Sequence, residues 1–280
     1  LVVKLGGALL DDAAQFGGVF DALAELHHSL AGGLIVLHGG GKAVDRQLDR
    51  MGIVTERRDG IRITPPHAVE QVTAVLAGSM NTQLLGQLLA RGVPAVGLTL
   101  SDGHLAHAQR ATHYSFDPGC VGELAHGQGH LLHHLLAGGY MPVLSSIGVD
   151  TAGGFLNINA DDAAAQIAGI VRARGLLLLT DVPGVRDAQG SILKELNAHQ
   201  AEQLIAEGVI SGGMIAKVRG AVAAAKLGGV PVVIAAWTDP QALRVLGSGG
   251  SIGTRVVHTA PRPELSPCTA RTLEEFAHHA

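Results

Sequence analysis

The strongest constraint on this chain is a series of short aliphatic runs, each followed by glycine or polar residues and then by a helical pattern. They are Val2-Val3-Lys4-Leu5, Leu34-Ile35-Val36-Leu37, Val93–Leu100, Met141-Pro142-Val143-Leu144, Leu176-Leu177-Leu178-Leu179 and Val230–Ile234. Runs this short and this apolar read as strands buried on both faces, which is how parallel strands covered by helices look. Between them lie helix-length stretches. One spans about residues 13–31, with Phe16, Val19, Phe20, Leu23 and Leu26 near helical spacing and Asp11-Asp12 as a cap. Aromatic residues are only 3% of the chain, so the core is packed from Val, Leu, Ile and Ala. The expectation is an α/β fold with a mainly parallel central sheet and helices on both faces. In such sheets ligands collect at the carboxyl ends of the strands.

Those ends carry the chemistry. The first run passes through Lys4 into Gly6-Gly7, where the absence of Cβ atoms lets backbone N–H groups approach an anion. A buried strand with a snorkelling lysine fits the same residues. The second run ends in His38-Gly39-Gly40-Gly41-Lys42, followed by a helical pattern over Ala43–Met51. Strand, triple glycine and helix form an anion cradle at a helix N-terminus. Neither GxxxxGK[ST] nor GxGxxG is present, so this is not a Walker A loop and dinucleotide binding has little support. His38 itself reads as a packing or hydrogen-bonding residue, with substrate contact as the alternative.

Arg62, between Ile61 and Ile63, reads as a guanidinium placed to grip a carboxylate or as an ordinary surface arginine. A proline-started helix follows to about Arg91. Residues 101–126 read as a β-rich excursion. Asn157, Asn159 and Asp161 share one side if the strand there stays extended; a helix cap by Asn159 is the competing reading. His126, His130, His133 and His134 group on one expected helix, but no HExxH or acidic partner completes a zinc set, and a solvated face is favoured.

With 280 residues and 47% hydrophobic composition the chain buries a large core and is not disordered. A net charge of −4 gives no reason to expect nucleic acid as a partner. Cys120 and Cys268 form no CxxC, which points to a reducing, cytoplasmic setting. No apolar run reaches the roughly 18 residues of a membrane span. From His258 the chain is proline-rich and weakly patterned, as in a loosely held tail.

Taken in order, VKLGG at 3–7, HGGG at 38–41, GIRIT at 60–64, NINAD at 157–161, TDVPG at 180–184 and GGMIAK at 212–217 resemble the amino acid kinase superfamily, and within it the N-acetylglutamate kinases. The resemblance covers about residues 2–257. It implies an open αβα sandwich of two lobes. Residues 1–172 would bind N-acetyl-L-glutamate and form a homodimer interface; residues 173–257 would bind ATP with Mg²⁺ held through the nucleotide phosphates. It implies that Lys4 and Lys217 stabilise the transferring phosphoryl group and that Asp161 positions those lysines. Gly6, Gly7, Gly40 and Gly41 would supply backbone N–H donors, the first two to the nucleotide and the others to the substrate. Arg62 and Asn157 would hold the substrate's α-carboxylate and N-acetyl-amino end. Thr180, Asp181, Val182, Pro183, Gly184, Val185 and Arg186, with Val209, Ile210 and Ser211, would line the nucleotide site. No dedicated protein metal site is implied. Because the first strand begins at residue 2, the resemblance also implies an arginine-insensitive dimer. A kinase for carrier-linked α-aminoadipate and a catalytically silent arginine or nitrogen sensor are the alternatives.

Overall fold

The computed structural model describes residues 1–6, 17–58 and 60–257. Gly7, the Asp11-Asp12 cap, Phe16 and the tail from His258 lie outside the described residues. The chain runs β1 (Val2–Leu5), α1 (Gly17–Ser29), β2 (Ile35–His38), α2 (Gly41–Arg50), a hairpin of β3 (Arg57–Arg58) and β4 (Ile61–Arg62), α3 (Pro66–Thr73), a π-helical segment (Ala74–Met80), α4 (Asn81–Leu89) and β5 (Ala95–Leu98). Then come β6 (Ala106–Arg110), β7 (Val121–Gly127), α5 (His130–Ala137), β8 (Met141–Ser145), β9 (Ile147–Val149), β10 (Phe155–Ile158) and α6 (Ala160–Ile170). The remaining elements are β11 (Leu176–Thr180), β12 (Glu195–Asn197), α7 (Ala198–Ala206), α8 (Gly213–Gly228), β13 (Val232–Ala236), α9 (Pro240–Gly247) and β14 (Thr254–Val257).

Among the described residues the main sheet has eight strands in the order β12-β14-β13-β11-β1-β2-β8-β5. The six from β13 to β5 are parallel; β14 pairs antiparallel with β13 and parallel with β12, so this edge runs the other way. A second sheet, β6-β7-β10-β9, contains the β-rich excursion expected over residues 101–126.

The alternation of side chains along each strand divides the core into two layers. Val2, Ile35, Leu37, Leu176 and Leu178 pack on the face covered by α6 and α8, with Ala163, Ile167, Val218 and Ala221. Val3, Leu5, Val36, Leu177 and Leu179 pack on the opposite face with Phe20, Leu23, Leu76 and Leu84. Each run is apolar throughout because both of its faces are buried. The same parity sends the side chains at the strand tips to defined sides. Lys4 and Thr180 follow the first layer, and His38 follows the second.

Two local expectations resolve differently from the simplest pattern. The helix expected from Pro66 to Arg91 is interrupted by the π-helical turn at Ala74–Met80. His126 lies in β7 rather than on a helix, and its ring stacks on that of His107 at 4.4 Å. His130, His133 and His134 do share α5 and are exposed.

Candidate active site

β1 sits at the middle of the sheet between β11 and β2, with Lys4 in register with Leu178 and Leu37. Its ammonium group points to the first turn of α6 and pairs with Asp161 at 2.9 Å. That turn is built by Asn159, whose side-chain oxygen accepts from the backbone N–H groups of Asp161 at 2.8 Å and Asp162 at 3.2 Å. Asn159 is therefore the helix cap, and the extended conformation ends at Ile158. Asn157, still in the strand, donates to the Thr64 hydroxyl at 3.1 Å.

Two cavities meet at the Lys4–Asp161 pair. The first, about 320 Å³, is walled by Gly39, Gly40 and Gly41, by Arg57 and Arg62 of the hairpin, and by Asn157. The second, about 330 Å³, is walled by Gly6, Thr180, Asp181, Lys217 and Trp237. Lys4 and Asp161 line both. Lys217, on the second turn of α8, pairs with Asp181 at 2.5 Å, and the Thr180 hydroxyl donates to the same carboxylate oxygen at 2.9 Å. The hydrogen bond from Lys217 holds the Asp181 carboxyl below its ordinary value. Asp161 thus meets Lys4, whereas Lys217 has its own carboxylate. α8 begins after Gly212 at φ +56°, a backbone conformation that favours glycine. A smaller cavity of about 210 Å³ is lined by Val182, Pro183, Gly184, Val185 and Arg186 on one side and Val209, Ile210 and Ser211 on the other.

Arg62 is buried and its fork is occupied by protein acceptors: Asp45, the Gly41 carbonyl at 2.8 Å and the Thr55 hydroxyl at 3.2 Å. Arg57 reaches the other oxygen of Asp45 at 3.1 Å. Burial pushes the Asp45 carboxyl up, but the hydrogen bonds and charges of the two arginines outweigh it and leave it below the usual range. One carboxylate between two guanidinium groups leaves a net positive charge on this wall. Asp45 and Trp237 lie outside every motif named above, and Thr64 closes GIRIT without a role assigned to it there. Asp45 had a usable signal: it lies four residues after Gly41 on α2, so the two face the same way.

Two adjoining cavities with a cation fixed at their common wall are what a group-transfer enzyme for two anionic reactants requires. Comparison with known proteins gives that class its lineage. Residues 1–236 match the amino acid kinase family, and the chain belongs to that family. It is 42% identical over 257 residues to the acetylglutamate kinase of Vibrio cholerae, covering 91% of this chain and 96% of that one. The acetylglutamate kinase of Moritella profunda is 42% identical over 256 residues with the same coverage. Among solved structures, an N-acetylglutamate synthase from Neisseria gonorrhoeae, in complex with coenzyme A and N-acetyl-glutamate, shares the fold. Its TM-score is 0.74 at 24% identity over 92% of this chain and 59% of that one.

Proposed function

We propose that this chain transfers the γ-phosphoryl group of ATP to the side-chain carboxylate of N-acetyl-L-glutamate, giving N-acetyl-L-glutamyl 5-phosphate and ADP, the second step of arginine biosynthesis. The observation that carries the reading is the Lys4–Asp161 pair lining both cavities. The near full-length similarity to acetylglutamate kinases supports the choice of acceptor.

In this reading the glycine-walled cavity holds the acyl amino acid. Its α-carboxylate lies toward the Arg57–Arg62 wall and its acetamido end near Asn157. The Lys217 cavity takes the nucleotide phosphates, and the segments Thr180–Arg186 and Val209–Ser211 take the rest of the nucleotide. Residues 1–172 and 173–257 act as substrate and nucleotide lobes, and the protein works as a homodimer.

The acceptor carboxylate, with an ordinary pKa near 4.3, is already ionised at neutral pH, so no general base is needed. One of its oxygens forms the new bond to the γ-phosphorus while the bond from that phosphorus to the β,γ-bridging oxygen breaks. The bridging oxygen leaves with the electron pair as part of ADP, and no proton moves. The difficulty is electrostatic, because two anions must meet in line. Lys4 and Lys217 neutralise the equatorial oxygens, and the N–H groups of Gly6, Gly40 and Gly41 add fixed dipoles. The exposed Asp181 carboxylate on the nucleotide wall fits a cation carried on the phosphates. Mg²⁺ bound there would add Lewis-acid neutralisation.

The test traps the acyl phosphate with hydroxylamine. Hydroxamate that requires ATP and forms fastest with N-acetyl-L-glutamate supports the reading. Faster turnover of a carrier-linked α-aminoadipate moves the chain to that substrate, and no hydroxamate with any acidic amino acid contradicts a kinase.

A further inference from the structure

His38 is fully buried at the end of β2, and neither cavity is lined by it. Its two ring nitrogens are nevertheless both engaged. Nε2 lies 3.2 Å from the side-chain nitrogen of Asn81, and Nδ1 lies 2.9 Å from the carbonyl oxygen of Gly39. The Asn81 amide is oriented independently, because the same nitrogen also donates to the Val143 carbonyl at 3.1 Å. An amide nitrogen only donates, so His38 Nε2 must accept. The imidazole is then neutral with its proton on Nδ1, and that proton is donated to Gly39. Burial, which pushes the imidazole down to about 4, keeps it in this form at neutral pH.

The Gly39 carbonyl belongs to the Gly39–Gly40 peptide. In a trans peptide the C=O and N–H point in opposite directions. Fixing the carbonyl toward the buried imidazole therefore aims the Gly40 N–H away from it, and Gly40 is on the cavity wall. The neighbours hold the peptide from both sides. A Cβ on Gly39 would come within 3.2 Å of Ala160, at the start of α6. One on Gly40 would fall 2.2 Å from the sulfur of Met80, in the π-helical segment that immediately precedes Asn81.

We propose that Asn81 and His38 are positioning residues: together they set the plane of the Gly39–Gly40 peptide and so aim the Gly40 N–H at the reacting anion. This rests on the phosphotransferase reading above. The relay runs from α4, through a buried amide and imidazole, to a backbone donor in the site.

The test compares His38→Leu with His38→Asn in the full chain, using hydroxamate formation from N-acetyl-L-glutamate and ATP. Asn can place an amide N–H near the position of Nδ1; Leu fills the space without a donor. His38→Leu should lower kcat by roughly 10- to 100-fold, the scale of a small misplacement in an active site, with the nucleotide KM unchanged. His38→Asn should recover most of that loss. Equal loss in both variants, or no loss in either, would overturn the inference. If His38→Leu does not fold, Asn81→Asp supplies the answer. Its carboxylate makes Nε2 carry a proton, so Nδ1 can donate to Gly39 only while the ring is an imidazolium. Turnover in Asn81→Asp should then fall as pH rises, a limb the wild type lacks; a flat profile parallel to wild type overturns the relay. A wild type that forms no hydroxamate overturns the kinase reading and this inference together. An active wild type matched by His38→Leu removes this inference alone.

Discussion

Lys4 and Asp161 pair at 2.9 Å across the junction of two cavities, with Lys4 well covered and Asp161 half-exposed. The lysine comes from a central parallel strand and the aspartate from the first turn of a helix capped by Asn159. Their meeting depends on side-chain parity along β1 and on where the extended segment stops before α6.

Asp161→Asn keeps the shape of that contact and removes its charge. The ammonium group of Lys4 is then no longer held by an ion pair. The expected result is a fall in kcat larger than any rise in either KM, measured by steady-state kinetics with both substrates varied. A pure KM effect would make Asp161 a binding group.

Lys217→Ala should reduce kcat by on the order of 10²–10³, by analogy with losing one oxyanion donor, while nucleotide affinity stays nearly intact. Trp237 offers a direct reading of affinity, because it is the single tryptophan of the chain and lines the same cavity. Nucleotide titration followed by its fluorescence should give similar midpoints in both proteins. Unchanged turnover would remove Lys217 from the chemistry.

Asp45→Ala leaves the buried Arg62 guanidinium without its anion. Losing hydrogen bonds to a charged group destabilises by roughly 1.5–3 kcal/mol, read as a lower urea midpoint. The KM for the acyl amino acid should rise more than kcat falls. The pair also has a pH signature. The folded pKa of Asp45 lies below its ordinary 3.8, so its contribution to stability is complete above that value. It is lost as pH falls through the lower folded value.

Much of this arrangement is legible in the sequence. The aliphatic runs predict a parallel sheet, and the glycine turns and polar tips fall at its carboxyl edge, where ligands collect in sheets of this kind. Asn157 and Asn159 were ambiguous, since period-2 alternation holds only while the strand lasts and the cap ends it. The Lys217–Asp181 pair joins residues 36 apart in sequence, and neither α8 nor β11 alone reveals the other. Arg62 reads equally as a placed guanidinium or a surface arginine; the structure buries it against Asp45, which lies on a different element and carries no motif. The π-helical turn was invisible because its residues fit ordinary helical periodicity.

His38 predicts a distinct acid sensitivity. Its imidazole falls from an ordinary 6.5 to about 4 on folding. Between those values the unfolded chain takes up a proton that the folded chain refuses, so stability drops as pH drops. The loss for this one group is about 2 kcal/mol between pH 7 and pH 5. Urea unfolding at both pH values should show it in the wild type and show it missing in His38→Asn. An equal loss in both proteins would assign the acid sensitivity to other groups.

The most direct test of the shared junction is a crystal structure with ADP, N-acetyl-L-glutamate and a planar phosphoryl mimic bound together. The expected result is a mimic between the two cavities, with the ammonium groups of Lys4 and Lys217 both about 2.7–3.0 Å from its equatorial atoms, and the acceptor carboxylate in line on the Gly40 side. A mimic touched by only one lysine, or an acyl amino acid seated away from the Gly39–Gly41 wall, would contradict it.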